Sequence, residues 1–284
     1  MSVGYPCAMR LAFTKMHGLG NDFIVFDAAN PNATPSPATL RALADRRTGI
    51  GFDQALVLEP PRRSGTDVFY RIFNADGSEV EQCGNGARCI ARLVATRAAC
   101  QDRPLSMDSP GGIVEAQLRR DGLVSVAMGV PDFDPHSLPF DAEHAAASYR
   151  IDTPGGPVEF GAVSIGNPHA VIRVRSVDDA PVDSVGPAME NHARFPRRVN
   201  VGFLEIVDPG HVRLRVFERG AGETRACGTG ACAAVAVGRR FGPLAEEVRV
   251  DLPGGRLIVK WPGPGEPIWL TGPAETAFEG TVEI

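Results

Sequence analysis

Two cysteines stand in the same local setting. Cys83 opens Cys83-Gly84-Asn85-Gly86-Ala87, and Cys227 opens Cys227-Gly228-Thr229-Gly230-Ala231. Each precedes a helical pattern, so each thiol is expected at a helix N-terminus. There, unpaired backbone N–H groups and the positive end of the macrodipole lower a thiol pKa and favour the thiolate. The glycines let a ligand approach the backbone, and the same N–H groups suit a carboxylate. A sulfur beside an anion cradle, supplied twice, fits proton removal from one face of a carbon and proton delivery to the other. An unperturbed thiol, at about 8.5, titrates near enough to neutrality for this acid–base work. Helix N-termini aimed at a carboxylate stabilise the carbanion that forms. A lone Cys-Gly-x-Gly is more often a Gly-rich helix entry with a structural cysteine; the duplicated pair is what points to stereoinversion.

An internal repeat positions the two motifs. Residues 73–87 resemble 217–231, with Glu79 over Glu223, at an offset of 144. Gly20-Asn21-Asp22-Phe23-Ile24-Val25 resembles Gly166-Asn167-Pro168-His169-Ala170-Val171, and Gln54 corresponds to Asn200, both at an offset of 146. The repeat implies an α+β fold of two similar sheet-rich domains, each around a central helix and related by a pseudo-twofold axis. Equivalent residues are then expected to face one another across a cleft, a common ligand site. The first half is expected over 1–127, completed by about 274–284, and the second over 128–273, with the Pro- and Gly-rich stretch 129–135 as the crossing point. Short apolar runs bounded by turn formers read as strands at 23–27, 55–58, 69–73 and 123–128, and at 170–174, 212–217, 248–252 and 257–261. Helices are expected at 37–46, 87–98 and 231–239, the last small and apolar on nearly all sides and therefore buried.

Composition narrows the classes. The chain has 284 residues, 43% hydrophobic and 22% charged, with a net charge of −5. This fits a globular protein and disfavours nucleic acid or an anionic membrane as partner. No apolar run approaches the roughly 20 residues that span a bilayer, and the N-terminus lacks signal-peptide character. The expected compartment is the cytoplasm, where standing disulfides are rare. None of the six cysteines has C-x-x-C spacing, so no metal site is expected. Cys89 and Cys232 read as small core residues, Cys7 and Cys100 as incidental. Only Lys15 and Lys260 stand against 27 arginines, leaving few candidates for a pyridoxal Schiff base. Residues 1–8 show no periodicity and no partner in the second half. Met9 is expected to serve as an equally good start, with full activity retained.

Further motifs carry a resemblance over nearly the whole chain from about Arg10. They are His17-Gly18-Leu19-Gly20-Asn21-Asp22-Phe23, Gly51-Phe52-Asp53-Gln54, Phe73-Asn74-Ala75-Asp76-Gly77-Ser78, Gln82-Cys83-Gly84-Asn85-Gly86-Ala87-Arg88-Cys89, Gly166-Asn167-Pro168-His169, Asn200-Val201, and Glu218-Arg219-Gly220-Ala221-Gly222-Glu223-Thr224 followed by Ala226-Cys227-Gly228-Thr229-Gly230. Together they resemble the diaminopimelate epimerase family, pyridoxal-independent enzymes of lysine and cell-wall precursor synthesis. The resemblance implies Cys83 and Cys227 as the two catalytic bases, with no cofactor. It implies Gly84, Asn85, Gly228 and Thr229 at the helix starts that hold the reacting carboxylate. Glu218 matches the group that pairs with the reacting amine, and His169 a residue important for activity. Asn21, Asn74, Asn167, Asn200 and Arg219 match residues around the far end of the substrate, with Gln54 also lining the site. The chemistry agrees, since arginine grips a carboxylate bidentately and amides read both carboxylate and ammonium. Buried amides left unpaired by a shorter amino acid favour LL- and meso-2,6-diaminopimelate over proline. The family also suggests a homodimer. The alternatives are a proline or hydroxyproline racemase of the same architecture, a redox sensor joining Cys83 to Cys227, and a metal-binding module.

Overall fold

The computed structural model of the chain describes residues 10–28, 34–80, 83–97 and 103–284. The backbone divides into two compact units. One takes the described residues up to Val124 together with Pro273–Ile284, and the other is Ser125–Gly272. The first unit begins with strands β1 (Arg10–Gly18) and β2 (Asn21–Asp27), helix α1 (Pro37–Ala44), and strands β3 (Gln54–Glu59), β4 (Val68–Asn74) and β5 (Glu79–Val80). Helix α2 (Gly84–Arg97) and strands β6 (Leu105–Ser109) and β7 (Gly112–Leu118) follow. Strand β8 (Val124–Ala127) leads to β9 (Tyr149–Thr153), β10 (Gly156–Ser164), β11 (Pro168–Arg173), α3 (Val182–Glu190), β12 (Asn200–Asp208), β13 (His211–Glu218) and β14 (Gly222–Thr224). The second unit closes with α4 (Gly228–Arg240), β15 (Glu247–Leu252), β16 (Gly255–Lys260) and β17 (Trp269–Gly272). The last strand, β18 (Glu275–Glu283), pairs antiparallel with β1 and so completes the first unit.

Strand pairing repeats step for step. In the first unit β1–β2 is antiparallel, β2–β3 parallel, β3–β4 and β4–β5 antiparallel, β4–β6 parallel and β6–β7 antiparallel. In the second, β10–β11, β11–β12, β12–β13, β13–β14, β13–β15 and β15–β16 run through the same series. Both parallel steps are crossovers, and each carries a helix: α1 and α2 in one unit, α3 and α4 in the other. Register repeats as well. Phe23 pairs with Gln54 as His169 pairs with Asn200, and Phe73 with Glu79 as Phe217 with Glu223. Even a two-bond ion pair is duplicated, Arg71 to Glu79 at 2.6 and 2.7 Å and Arg215 to Glu223 at 2.6 and 2.8 Å.

Each sheet wraps a central helix. Helix α2 packs on β1, β2, β6 and β7, while α4 packs on β10–β13, β16 and β17. In α4, Ala231, Cys232, Ala233, Ala234, Val235 and Ala236 are all fully buried, which explains its small, apolar composition. The opposite face carries α1, whose Leu40, Leu43 and Ala44 join Ile24, Phe26, Ala55, Val57 and Phe73 in one core cluster. Because both faces of β2 and β3 are covered, they read as continuous apolar runs. Val182 and Met189 of α3 sit likewise against Phe160, Val201 and Phe203.

The strands and helices expected from the sequence are present, within a few residues at their ends. Helix α3 was not expected: Gly186 and Pro187 interrupt it and hide its periodicity. The missed strands include β1, β10, β12 and β18. Cys89 and Cys232 are fully buried. The expectations for residues 1–9, Ala98, Cys7 and Cys100 lie outside the described residues.

Candidate active site

In the first unit, strand direction gathers the expected residues at one end of the sheet. Strands β2 and β3 are parallel and begin there, with Asn21 and Gln54, while β4 runs back and ends there with Asn74. The turn that delivers Asn21 is Leu19-Gly20, with φ of 58° and 87°, the left-handed pair of a tight hairpin. The Gln54 Nε2 donates to Asn74 Oδ1 at 2.9 Å, and Asn74 Nδ2 donates to Ser78 Oγ at 3.2 Å. Gln54 Oε1 is buried and meets no donor among the described residues, an unmet acceptor that a ligand N–H can satisfy.

Half-buried Cys83 immediately precedes Gly84 and Asn85, the first residues of α2, and its Sγ accepts the Gly86 N–H at 3.5 Å. The Asn85 Nδ2 donates to Asn21 Oδ1 at 3.1 Å, and Asn21 Nδ2 to Asp53 Oδ2 at 2.9 Å. Behind them, Arg46 bonds Asp22 at 2.7 and 3.0 Å and Asp53 at 2.8 Å. Buried Lys15 reaches Asp22 at 2.6 Å and also donates to the Gly51 carbonyl. Burial pushes the Asp22 carboxyl up, but Arg46 and Lys15 outweigh it and hold the pKa at about 2.

The second unit repeats the arrangement with other chemistry. Strands β11 and β12 begin beside Asn167 and Asn200, β13 ends at Glu218, and α4 begins at Gly228 with Cys227 as its N-cap. The Cys227 Sγ accepts the Gly230 N–H at 3.4 Å and lies 3.6 Å from Thr229 Oγ1. A Cβ at Gly230 would sit 3.2 Å from that sulfur and 3.0 Å from Val216 Cγ2, so glycine keeps the sulfur's surroundings open. The Asn167 Nδ2 donates to Thr229 Oγ1 at 3.4 Å, and Asn167 Oδ1 lies 3.0 Å from His169 Nε2. A carbonyl oxygen only accepts, so Nε2 carries the proton. Asn200 is buried, donates to the Pro168 carbonyl at 2.9 Å and accepts the Arg219 N–H at 3.0 Å. The Arg219 guanidinium donates to the Arg197 carbonyl at 3.0 Å.

One expectation is reversed. The helix start does not leave Cys227 with a lowered pKa: burial raises it well above the ordinary thiol value, and the adjacent Glu218 carboxylate raises it further. The Thr229 and Gly230 hydrogen bonds pull the other way and do not win. Cys227 is therefore a protonated thiol at neutral pH. Two supports of this region escaped the sequence reading. Thr224 donates to Glu218, and buried Glu190 accepts the Gly220 N–H at 2.7 Å, tying α3 to the Glu218-Arg219-Gly220 turn. The repeat could have flagged helix α3, which occupies the place of α1, but not Glu190 itself, whose counterpart is Ala44.

His169 gives a direct test of this electrostatic picture. Burial first, then the Arg219 charge, pushes its pKa down to about 3. The unfolded chain takes up this proton near pH 6.5, the folded chain only near 3, so stability falls as pH drops through that window. Between pH 6.5 and 5 the wild type is expected to lose about 1.5 kcal/mol more than His169→Gln, read from urea midpoints. Equal losses would contradict the buried neutral ring.

Comparison with known proteins agrees with both halves. The family model of diaminopimelate epimerase matches residues 13–133 and 161–277. Diaminopimelate epimerase of Pseudomonas aeruginosa (strain LESB58) is 54% identical over 276 residues, covering 97% of this chain and 100% of its own. That of Alkalilimnicola ehrlichii is 54% identical over 278 residues, with the same coverage. Among solved structures, a hydroxyproline epimerase from Agrobacterium vitis superposes with a TM-score of 0.70 at 18% identity, covering 97% of this chain and 93% of that one. A PhzF-family phenazine biosynthesis protein of Bacillus anthracis gives 0.64 at 17% identity, covering 97% and 100%. At such identities the likeness is one of fold. The two matched segments each carry one cysteine at a helix start, and with 54% identity over nearly its full length the chain belongs to the diaminopimelate epimerase family.

Proposed function

We propose that Cys83 and Cys227 interconvert LL-2,6-diaminopimelate and meso-2,6-diaminopimelate by inverting one α-carbon, one sulfur acting on each face. One thiolate takes the α-proton as the C–H bond breaks, and the S–H of the other cysteine supplies the proton that forms the new C–H bond. The carbon ends inverted, and the two sulfurs have exchanged protonation states. The observation that carries this reading is the repeated sulfur at the start of α2 and α4, each accepting the N–H three residues on. The raised pKa of Cys227 suits the proton-bearing member of the pair, ready to act as acid.

The other residues take their roles from the family. Backbone N–H groups of Gly84, Asn85, Gly228 and Thr229 hold the reacting carboxylate and stabilise the carbanion. Glu218 pairs with the reacting amine, and His169 supports the chemistry through Asn167. Asn21, Gln54, Asn74, Asn167, Asn200 and Arg219 bind the far amino-acid group. This set calls for neither pyridoxal nor metal. Relatives at 54% identity bear the name diaminopimelate epimerase, which favours this substrate over proline. We further propose a cytoplasmic homodimer, and the mild net charge of −5 supports a partner other than nucleic acid or an anionic membrane; light scattering checks the assembly.

The reading requires both sulfurs to reach one tetrahedral carbon, near 3–3.5 Å from each. In deuterium oxide, inverted product is expected to carry deuterium at the α-carbon, seen by mass spectrometry. Unlabelled product, or inversion of proline in preference to diaminopimelate, would overturn it.

A further inference from the structure

The duplication keeps one side-chain link in both units and changes what lies at its ends. Asn21 corresponds to Asn167, and Asn85 to Thr229. The first pair is joined at 3.1 Å and the second at 3.4 Å. The direction is opposite: Asn85 donates to Asn21, whereas Asn167 donates to Thr229. The ends explain the reversal. In the first unit the link runs from Arg88, whose Nη2 donates to Asn85 Oδ1 at 2.9 Å, to Asp53, which accepts from Asn21 at 2.9 Å. The corresponding positions of the second unit are Cys232 and Val199, neither of which carries a charge.

A guanidinium only donates, and a carboxylate only accepts. With Arg88 at one end, Asn85 must turn its oxygen toward it and its N–H₂ toward Asn21. Asn21 must then present its oxygen to Asn85 and an N–H to Asp53. Both amide orientations follow from the two charges, and reversing either one sets donor against donor or acceptor against acceptor. Both charges are themselves anchored. Arg88 is fully buried, and its Nε donates to the Pro273 carbonyl at 3.3 Å. A Cβ on Gly18 would approach Arg88 Nη2 to 3.1 Å, so the glycine makes room for it. Asp53 accepts from Arg46 at 2.8 Å and from the Asp22 N–H at 3.1 Å.

We propose that Asp53 and Arg88 are positioning residues that fix the amides of Asn21 and Asn85 by charge, so that Asn21 meets the substrate as a hydrogen-bond donor to a carboxylate oxygen. This rests on the proposed epimerase reading for its substrate. With its oxygen committed to Asn85 and one N–H to Asp53, Asn21 offers a ligand its second N–H. The first unit thereby selects a carboxylate over an ammonium at this point, although an isolated amide would accept either.

The test is a double-mutant cycle. Asp53 is exposed, so Asp53→Asn is expected to fold normally. It is expected to raise KM for LL-diaminopimelate about tenfold, the weight of one hydrogen bond to a charged group. Its kcat is expected to stay within about threefold, because uniform binding is what is lost. In an Asn21→Ala background the same substitution is expected to change KM less than twofold. Arg88→Gln is expected to act alike and Arg88→Lys to recover most of the loss. If the buried Arg88 variants do not fold, the Asp53 cycle decides alone. The amide orientations are also read without substrate: the side-chain ¹⁵N signals of Asn21 and Asn85 are expected to shift in Asp53→Asn. Unmoved signals, an unchanged KM, or an equal KM increase in both backgrounds would overturn the proposal. An enzyme inactive on diaminopimelate whose amide signals still shift would remove the function and the carboxylate while keeping the positioning.

Discussion

Cys83→Ala and Cys227→Ala are each expected to lower kcat for epimerisation by at least about a thousandfold, the upper part of what one positioned acid or base contributes. The loss is large because inversion needs both faces. With one sulfur gone, a proton can leave, but none is delivered opposite. Folding is expected to survive. Cys83 is half-buried, and Cys227, though buried, contributes one sulfur atom to its surroundings. The resulting void costs about 1–2 kcal/mol, or a few degrees of melting temperature in a chain of this size. The backbone bonds Ala87 N to Cys83 O at 2.8 Å and Ala231 N to Cys227 O at 3.0 Å do not involve the side chains, so both helix starts remain. The variants also differ from one another. Each keeps one base, so each is expected to exchange the α-hydrogen of only one stereoisomer in deuterium oxide, without inversion, and the two variants are expected to choose opposite isomers. Near-normal turnover in either variant removes the two-base assignment. Exchange of the same isomer by both places the sulfurs on one face and is equally fatal.

The residues proposed for this chemistry were legible because the chain contains them twice. One Cys-Gly-x-Gly says little, but a second copy at a constant offset carries with it Asn21 over Asn167 and Gln54 over Asn200, and the observed strand register repeats those pairs. What stayed hidden depends on neighbours distant in sequence. The alternation of β1 is masked because Thr14 and Lys15 are buried, the lysine made tolerable by Asp22 and the Gly51 carbonyl. Strand β18 has no buried side chain at all, so no apolar face marks it. The Asn85–Asn21 link joins residues 64 apart, and neither local pattern contains it. The thiol pKa was misread for the same reason. The helix start is visible in sequence, whereas the burial that outweighs it at Cys227 comes from packing around α4.

Strand β18 is expected to be indispensable despite its exposure, and deleting residues 274–284 is expected to leave the chain unfolded or aggregated at 25 °C. Its contribution lies in what it covers. Eight Cα partnerships run from Arg10↔Glu283 to His17↔Glu275, and without them β1 becomes an open edge. Phe13 and Leu11 of β1 are each only 8% exposed, and Val282 and Ile284 pack against their cluster. Phe278 meets the Phe13 ring edge-on with centroids 5.9 Å apart. Re-exposing Phe13 and Leu11 alone costs about 3–6 kcal/mol, a large share of the roughly 5–15 kcal/mol that holds a folded protein together. A milder variant reads the same contact without deletion. A Cβ at Gly280 would lie 2.7 Å from Phe13 Cζ, so the strand can cross this ring only with glycine there. Gly280→Val is expected to cost about 1–3 kcal/mol through this overpacking and to lower the melting temperature by roughly 2–5 °C. Circular dichroism melts of the two variants check both effects. A truncated chain that melts cooperatively within a few degrees of wild type would show that β1 needs no partner on that side.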